Sequence, residues 1–163
     1  MPTTNNQVPD QVDARGPRFV AWVTAGVLVA VLLVSAVSPL GAAVLLGAQS
    51  VVFAVGAVLG PRRHPYGLVF GRLIAPHLAP VTDKEPAAPL RFAQLVGLVF
   101  GLVGVVGFAA GLPLLGLIAT GSALTAAFLN AAFGICLGCQ LYPLVARLTQ
   151  TRSNRKELVH GTF

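Results

Sequence analysis

Cys136 and Cys139, the only two cysteines of the chain, stand in Cys-Leu-Gly-Cys and are the residues whose type and spacing favour chemistry. This spacing on one helical face brings two sulfurs close enough for a disulfide, a persulfide relay or shared metal bonds. Covalent haem attachment requires a histidine after the second cysteine, where this chain has Gln140. We therefore predict dithiol or sulfur chemistry at the pair, against the simpler interpretation that two small soft side chains pack a helix crossing.

A metal centre is the weaker alternative for the same cysteines. Zinc or an iron–sulfur cluster needs about four ligands. His64 and His77, or the cysteines of a second copy, would have to complete the set, and no spacing in the sequence supports this. We predict no metal and no cofactor.

Two backbone geometries at the motif predict opposite reactivities. In a continuous helix, Pro143 deprives the Cys139 carbonyl of its backbone partner and kinks the chain, and the thiols lie toward a helix C-terminus, which disfavours thiolate. If one helix ends near Ile135 and another begins at the motif, Cys136 lies at a helix N-terminus, which stabilises thiolate. The residues predicted to support the pair are Asn130, Gly138, Gln140, Tyr142, Pro143, Arg62, Arg63 and His64.

Two of these supporting residues have a competing interpretation. Asn130 is costly to bury in a membrane, so an interhelical hydrogen bond is favoured over a substrate contact. His64 stands between Arg63 and Pro65, where it could touch a phosphate or a thiolate. A lone interfacial histidine is more often neither a ligand nor a catalyst.

The distribution of charge along the chain predicts the membrane-spanning helices that position these residues. Of the 163 residues, 55% are hydrophobic and 10% charged, and no charge occurs in 19–61 or 92–146. A membrane span needs roughly 20 residues, so each run predicts two spans, joined at Ser38-Pro39 and Gly111-Leu112-Pro113. We predict an all-α fold, a four-helix transmembrane bundle of two helical hairpins. Its predicted divisions are an N-terminal tail 1–18, a membrane domain 19–148 with spans 19–37, 40–59, 92–111 and 114–135 and a loop 60–91, and a C-terminal tail 149–163.

The basic residues predict the orientation of these spans. All eleven lie in the tails or the long loop, and neither short turn contains one. Because Lys and Arg accumulate on the cytoplasmic side, both termini and the loop are predicted to be cytoplasmic in the cell inner (plasma) membrane. The net charge of +6 is then a topology signal, and nucleic acid is not an expected partner. The cysteines fall at the cytosolic boundary, where the resting state should be the dithiol.

The cytoplasmic loop contains a predicted short interfacial helix over 65–74. It places Tyr66, Val69, Phe70, Leu73 and Ile74 on one side, which suits contact with acyl chains, and arginines nearby. Several prolines beyond it predict extended chain. The lipid bilayer is therefore an expected partner of this loop as well as of the spans.

A non-enzymatic scaffold or an oligomeric pore or transport subunit is the alternative function. Small residues recur four apart, for example at Gly97 and Gly101, and Ala119, Ala123, Ala127 and Ala131 form a stripe. Such stripes favour close helix packing, either within one chain or in a homo-oligomer. The spans contain no ionisable residue, which disfavours a proton-driven carrier acting alone.

Three strings, GPRRHPYGLVF, PLRFAQLVG and above all LNAAFGICLGCQLY, give the chain a family resemblance. From about Val12 to Arg147 it resembles the DUF4395 family of uncharacterised actinobacterial membrane proteins. The resemblance implies a small multipass membrane protein of unknown activity. It also implies a thioredoxin-like or sulfurtransferase partner for the cysteines.

Overall fold

Four long helices make up most of the chain in the computed structural model, which describes residues 11–78, 84–137, 139–143 and 147. They are α1 (Arg15–Ser35), α2 (Pro39–Leu59), α4 (Ala87–Ala109) and α5 (Pro113–Phe133), with the short α3 (Pro65–Val69) between the second and third. The long helices have 21, 21, 23 and 21 residues. At about 1.5 Å per residue each is long enough to cross the ~30 Å hydrocarbon core of a bilayer. All four are long and apolar enough to do so, which confirms the predicted four-helix transmembrane fold.

Local sequence explains where these helices begin and end. Ser38 caps α2 by accepting a 3.0 Å hydrogen bond from the Gly41 amide, and proline stands at the first position of both α2 and α5. α1 begins at Arg15 and α4 at Ala87, ahead of the starts predicted at 19 and 92. Prolines are tolerated in a first helical turn, where the amides have no helical partner. The early starts place Arg18 and Arg91 on helical turns, from which they reach neighbouring elements.

The helices pack in the cyclic order α1, α2, α4, α5, so that every neighbour is antiparallel. The contact between hairpins depends on glycines of α4: a Cβ at Gly97, Gly101 or Gly104 would collide with a side chain of α2, namely Phe53, Ser50 or Leu46 respectively. The small-residue stripe of α4 thus serves packing within one chain.

The hydrophobic core lies toward the end of the bundle that carries the two short turns. Its buried members are Leu28, Val31, Ala42, Ala43, Leu46, Phe108 and Ala123. At this end Gly107 meets the backbone of Gly116, which lets α4 and α5 approach closely. The opposite end carries the described basic residues, and we refer to it as the basic end.

The long loop folds onto the basic end. A 3₁₀ turn (Pro61–Arg63) precedes α3, which continues as a π turn (Phe70–Ile74) and a second 3₁₀ turn (Ala75–His77). A helix therefore lies where 65–74 was predicted to form one, but its apolar residues do not share a face toward lipid. Phe70 is buried, with its ring 5.6 Å from that of Phe19, and Tyr66 reaches Gln49, whereas Val69 and Leu73 are exposed. Tyr66 and Phe70 attach the loop to the bundle. Their rings lie against α1 and α2 instead of in acyl chains, and Tyr66 gains a hydrogen bond to Gln49 there.

A short antiparallel ladder, absent from the predicted fold, ties the N-terminal segment to the end of the loop. Strand β1 (Gln11–Asp13) pairs with β2 (Lys84–Pro86), with Val12 opposite Glu85. Asp13 also forms a salt bridge of 3.0 Å with Arg15. Hydrogen bonds from Arg15 hold the pKa of the Asp13 carboxyl below its ordinary value.

Candidate functional site

The chain breaks its helix immediately before the cysteines. α5 ends at Phe133, and Gly134 takes the left-handed conformation with φ of 68°, while the Gly134 and Ile135 amides donate to the carbonyls of Asn130 and Leu129. This is the glycine termination common at helix ends. Helical backbone resumes at Leu137 and is present at 139–143. The second of the two predicted geometries, a new helix beginning at the motif, is therefore the one observed.

Cys136 stands at the start of that new helix. Its carbonyl accepts a 3.1 Å hydrogen bond from the Gln140 amide, and its Sγ accepts one of 3.2 Å from the Cys139 amide. These are the contacts of an N-cap residue, with sulfur in place of the usual oxygen. Backbone amides and the positive end of a helix both favour negative charge on sulfur.

The sulfurs of Cys136 and Cys139 are joined as a disulfide. Their Cα atoms lie 5.1 Å apart, within the range of about 4.4–6.8 Å that disulfides require. The pair can therefore close without rearranging the backbone. The dithiol resting state in the cytosol stays a prediction.

Arg18 of α1 packs against this turn. Its guanidinium lies so close to Gly134 that a Cβ there would overlap it. The positive charge thus lies beside the carbonyl end of α5, whose dipole it complements. Gly134, which it contacts, precedes Cys136 by two residues. In the sequence Arg18 indicates only topology. No local pattern predicts its contact with Gly134, because the packing of α1 on α5 brings the two residues together.

A cavity of about 630 Å³ opens within the basic end of the bundle. Four residues predicted for the site line it: Arg62, His64, Asn130 and Cys136. Residues of α1, α2, α4, α5 and the docked loop form the rest of its wall, which is mainly apolar. Residues separated by more than 70 positions in sequence thus meet around one space beside the cysteine pair.

His64 is the most buried polar residue of this wall, with 1% of its surface exposed. It lies with Gln94 over Gly56, where a Cβ would collide with both side chains. Both ring nitrogens of His64 and Oε1 of Gln94 are buried, and Gln94 is the polar neighbour of the imidazole. Burial lowers the pKa of His64, and the neighbouring Gln94 amide opposes part of that change. The imidazole is therefore neutral near pH 7.

A second polar group supports His64 from the side. The Tyr66 ring lies 5.4 Å from the imidazole, and its hydroxyl donates a 2.9 Å hydrogen bond to Oε1 of Gln49, which is buried in α2. Burial raises the pKa of Tyr66. Gln94 and Gln49 are recognisable in the sequence as amides within apolar spans. Only the fold shows that Gln94 faces His64 and that Gln49 faces Tyr66.

The other predicted site residues lie outside the cavity. Tyr142 packs its ring 6.1 Å from that of Phe92, and Arg63, Gln140 and Pro143 are exposed. Gly138 lies outside the described residues. In the described part of the chain no group of three or more His, Cys, Asp or Glu side chains could hold a metal ion.

These features define a small multipass integral membrane protein with a closed cysteine pair beside a cavity at the basic end of its bundle. The chain belongs to the DUF4395 family: the family model, described as a domain of unknown function, matches residues 12–147. No curated protein and no solved structure matches the chain significantly.

Proposed function

We propose that this protein is a membrane thiol–disulfide exchange protein that acts through Cys136 and Cys139. The observation that carries the proposal is the geometry of the pair: a disulfide at a helix start, with Cys136 in the N-cap position and an arginine packed on the preceding turn. Both cysteine residues are half-buried, which leaves part of the motif at the surface.

The proposed reaction is an exchange without net oxidation. A partner thiolate attacks one sulfur of the pair and forms a mixed disulfide, and the other sulfur leaves as a thiolate. A second partner thiol then resolves the mixed disulfide, so the partner ends as a disulfide and the pair as a dithiol. A thioredoxin-like protein is the partner class this chemistry requires. In the sulfur-relay form, one cysteine of the reduced pair attacks the outer sulfur of a sulfurtransferase persulfide. The sulfurtransferase cysteine leaves as a thiolate, and the pair then carries the persulfide.

We further propose that the basic end faces the cytosol across the inner (plasma) membrane. Support comes from the gathering of arginines at that end, including Arg18, Arg62, Arg63 and Arg91, while the short turns carry no charge. A membrane-impermeant maleimide should label the reduced cysteines only in inverted vesicles. Labelling only in right-side-out vesicles would contradict this orientation.

The exchange is tested with purified protein in phosphatidylcholine nanodiscs and a thioredoxin whose resolving cysteine is replaced by serine. We expect a mixed disulfide, visible as a reducible mass increase, with the oxidised wild type. Cys136→Ser and Cys139→Ser have no disulfide to attack, so each should form the adduct only with a thioredoxin activated as its 5-thio-2-nitrobenzoate mixed disulfide, which supplies the leaving thiolate. The double variant is the matched control. Because the chain has two cysteines in all, any thiol adduct belongs to this pair.

The redox state of the cysteine pair in living cells gives an independent test of the same function. Rapid alkylation, followed by mass spectrometry of the motif peptide before and after an oxidant or thiosulfate, should show a change between dithiol and disulfide or persulfide. An unchanged pair under all conditions, together with full complementation by the double serine variant, contradicts the proposal.

The scaffold or pore alternative stays a prediction that no observation favours. The α4 stripe is occupied by α2, and Ser122 and Thr125 of α5 donate to carbonyls of their own helix at 2.8 Å. These contacts account for part of the pattern that motivated the hypothesis, namely the α4 glycines, Ser122 and Thr125.

A further inference from the structure

Three exposed aromatic rings lie together on the outer surface where α1 meets α5. The Trp22 ring of α1 stands edge-on to that of Phe128 of α5, with centroids 6.1 Å apart, and the Phe128 ring meets that of Phe133 at 6.4 Å. We refer to these three residues as the aromatic cluster. Both helices are long and apolar enough to span a bilayer, so lipid covers this surface. Polar groups at the edge of the cluster then determine which lipid binds there.

Arg18 lies at the edge of the aromatic cluster that is nearer the basic end. It precedes Trp22 by four residues, so the two side chains share a face of α1 and are about 6 Å apart along the helix axis. The Arg18 guanidinium also packs against Gly134, the residue that follows Phe133. The packing of α1 on α5 therefore places one positive charge beside the aromatic cluster.

The charge of Arg18 is available to an anion from outside the protein. Arg18 is exposed, and among the described residues no carboxylate pairs with it. Asp13, the acidic residue nearest to it in sequence, forms its salt bridge with Arg15 at 3.0 Å. Contact with Gly134 holds the guanidinium at the seam between the helices. A guanidinium has five N–H donors, so it can bind an external anion from this position.

The combination of one arginine with aromatic rings fits a phospholipid with an anionic headgroup. A guanidinium binds phosphate oxygens through charge-assisted hydrogen bonds. Tryptophan at the boundary between headgroups and acyl chains packs its ring on the chains, and its indole N–H can donate to an ester oxygen. The choline cation of phosphatidylcholine would repel Arg18, whereas phosphatidylglycerol carries a net negative charge and no cation. The charge thus favours phosphatidylglycerol.

We propose that the seam between α1 and α5 binds an anionic phospholipid of the phosphatidylglycerol type. Its phosphate lies on the Arg18 guanidinium, and the upper part of an acyl chain lies across the aromatic cluster. Neither cysteine takes part in this binding, so it is independent of the thiol exchange proposed above.

Trp22 is the single tryptophan of the chain, so its fluorescence reports the lipid beside it. The full-length protein is reconstituted in vesicles of dioleoylphosphatidylcholine and dioleoylphosphatidylglycerol. One of the two lipids at a time carries bromine on its chains, which quenches tryptophan. Both leaflets contain both lipids, so the orientation of the protein does not affect the result. We expect phosphatidylglycerol beside Trp22 about fivefold more often than its mole fraction predicts, the factor for one arginine near an anionic surface.

Variants of Arg18 test whether this preference belongs to the seam. Arg18→Gln and Arg18→Met should bring the ratio close to one, and Arg18→Lys, which keeps the charge, should retain part of it. The matched control is Arg63→Gln, which removes the same charge from an exposed residue just after α2, a helix that is not a neighbour of α5 in the bundle. Its ratio should equal that of wild type. Thermal unfolding in the same vesicles checks that each variant is folded.

A measurement on the unmodified chain supplements the variants. Phosphatidylglycerol with a photoactivatable acyl chain should label peptides of α1 and α5 in preference to those of α2 and α4, and unlabelled phosphatidylglycerol should compete better than phosphatidylcholine. Equal labelling of all four helices would contradict a site at this seam.

Three results of the quenching experiment would overturn the proposal. Equal quenching by the two brominated lipids in wild type excludes a preference for the anionic headgroup. A preference that falls equally in Arg18→Gln and Arg63→Gln shows attraction by the net charge of the protein, with no site at the seam. A preference that inorganic phosphate abolishes at constant ionic strength shows that Arg18 takes the free anion instead of the lipid.

Discussion

At the scale of single residues, the turn before the cysteines depends on Gly134. Its φ of 68° lies in the left-handed region, and the space a side chain would need is filled by the Arg18 guanidinium. Only glycine meets both conditions at low cost. The N-cap geometry of Cys136 thus depends on Gly134, a residue without a side chain.

We expect Gly134→Ala to destabilise the protein by about 1–2 kcal/mol, from backbone strain together with displacement of Arg18. The free energy of unfolding in mixed detergent micelles measures this. Gly121→Ala is the control, because Gly121 is helical and a Cβ there meets nothing within 4 Å. A loss at Gly121 equal to that at Gly134 would refute this account.

His64 gives the protein a pH dependence whose sign follows from its burial. Its pKa is lowered in the folded state, whereas the unfolded chain takes up the proton near the ordinary value of about 6.5. The unfolded state therefore binds more protons below that value, and stability should fall as the pH drops from about 7 toward 5.

Equilibrium unfolding across this pH range measures the contribution of His64. We expect His64→Gln to flatten the curve below pH 6.5 relative to wild type. Curves of equal slope for wild type and His64→Gln would show that the imidazole does not titrate in this way.

At the scale of elements, α4 secures the end of α2 through Arg91. Its Nε donates to the Ala57 carbonyl at 3.1 Å and its Nη2 to the Val58 carbonyl. These carbonyls belong to the last turn of α2, where helical partners are lacking and the dipole favours a cation. The loop that carries His64 starts at this cap.

Arg91→Ala should lower the free energy of unfolding by about 1 kcal/mol, because two carbonyls lose a charged donor. Arg91→Lys should recover part of it. Arg72→Ala removes an exposed arginine of the docked loop and is the control. We would abandon the capping role if Arg72→Ala and Arg91→Ala had equal effects in the same unfolding assay.

The short helical segment that begins at the Cys-x-x-Cys motif shows which features of an element its sequence predicts. Cys-x-x-Cys, Pro143 and the glycines indicated that the helix changes near 134–143, but left two geometries open. The observed break depends on Gly134 adopting a positive φ beneath Arg18, a contact between α1 and α5 that no local pattern records.

At the scale of the whole molecule, the bundle is tightly packed at one end and open at the other. Glycines of α4 and α5 bring backbones together near the short turns, and the loop and the motif surround a cavity at the basic end. We expect the close packing at the end with the short turns to keep the helices rigid, so that the cavity at the basic end stays open.

Gly107→Ala tests this division, since a Cβ at Gly107 would lie 2.5 Å from the backbone nitrogen of Gly116. Backbone cannot give way as a flexible side chain can, so we expect a loss of about 1–3 kcal/mol from overpacking. Gly47→Ala, in open space on α2, is the matched control. Thermal unfolding in nanodiscs gives the comparison, and equal stability of the two variants would contradict the packing argument.

The sequence by itself determined the four spans, because lipid imposes a length and an absence of charge that can be read along the chain. It also singled out Cys136 and Cys139 from their spacing. Only the tertiary structure decided that His64, Gln94 and Asn130 share a cavity with Cys136, and that Tyr66 and Phe70 face the bundle. Those placements depend on which helices neighbour one another. In a membrane the faces of an apolar helix differ little in polarity, so the sequence does not show which face contacts which helix; the positions of small residues that permit close approach decide it.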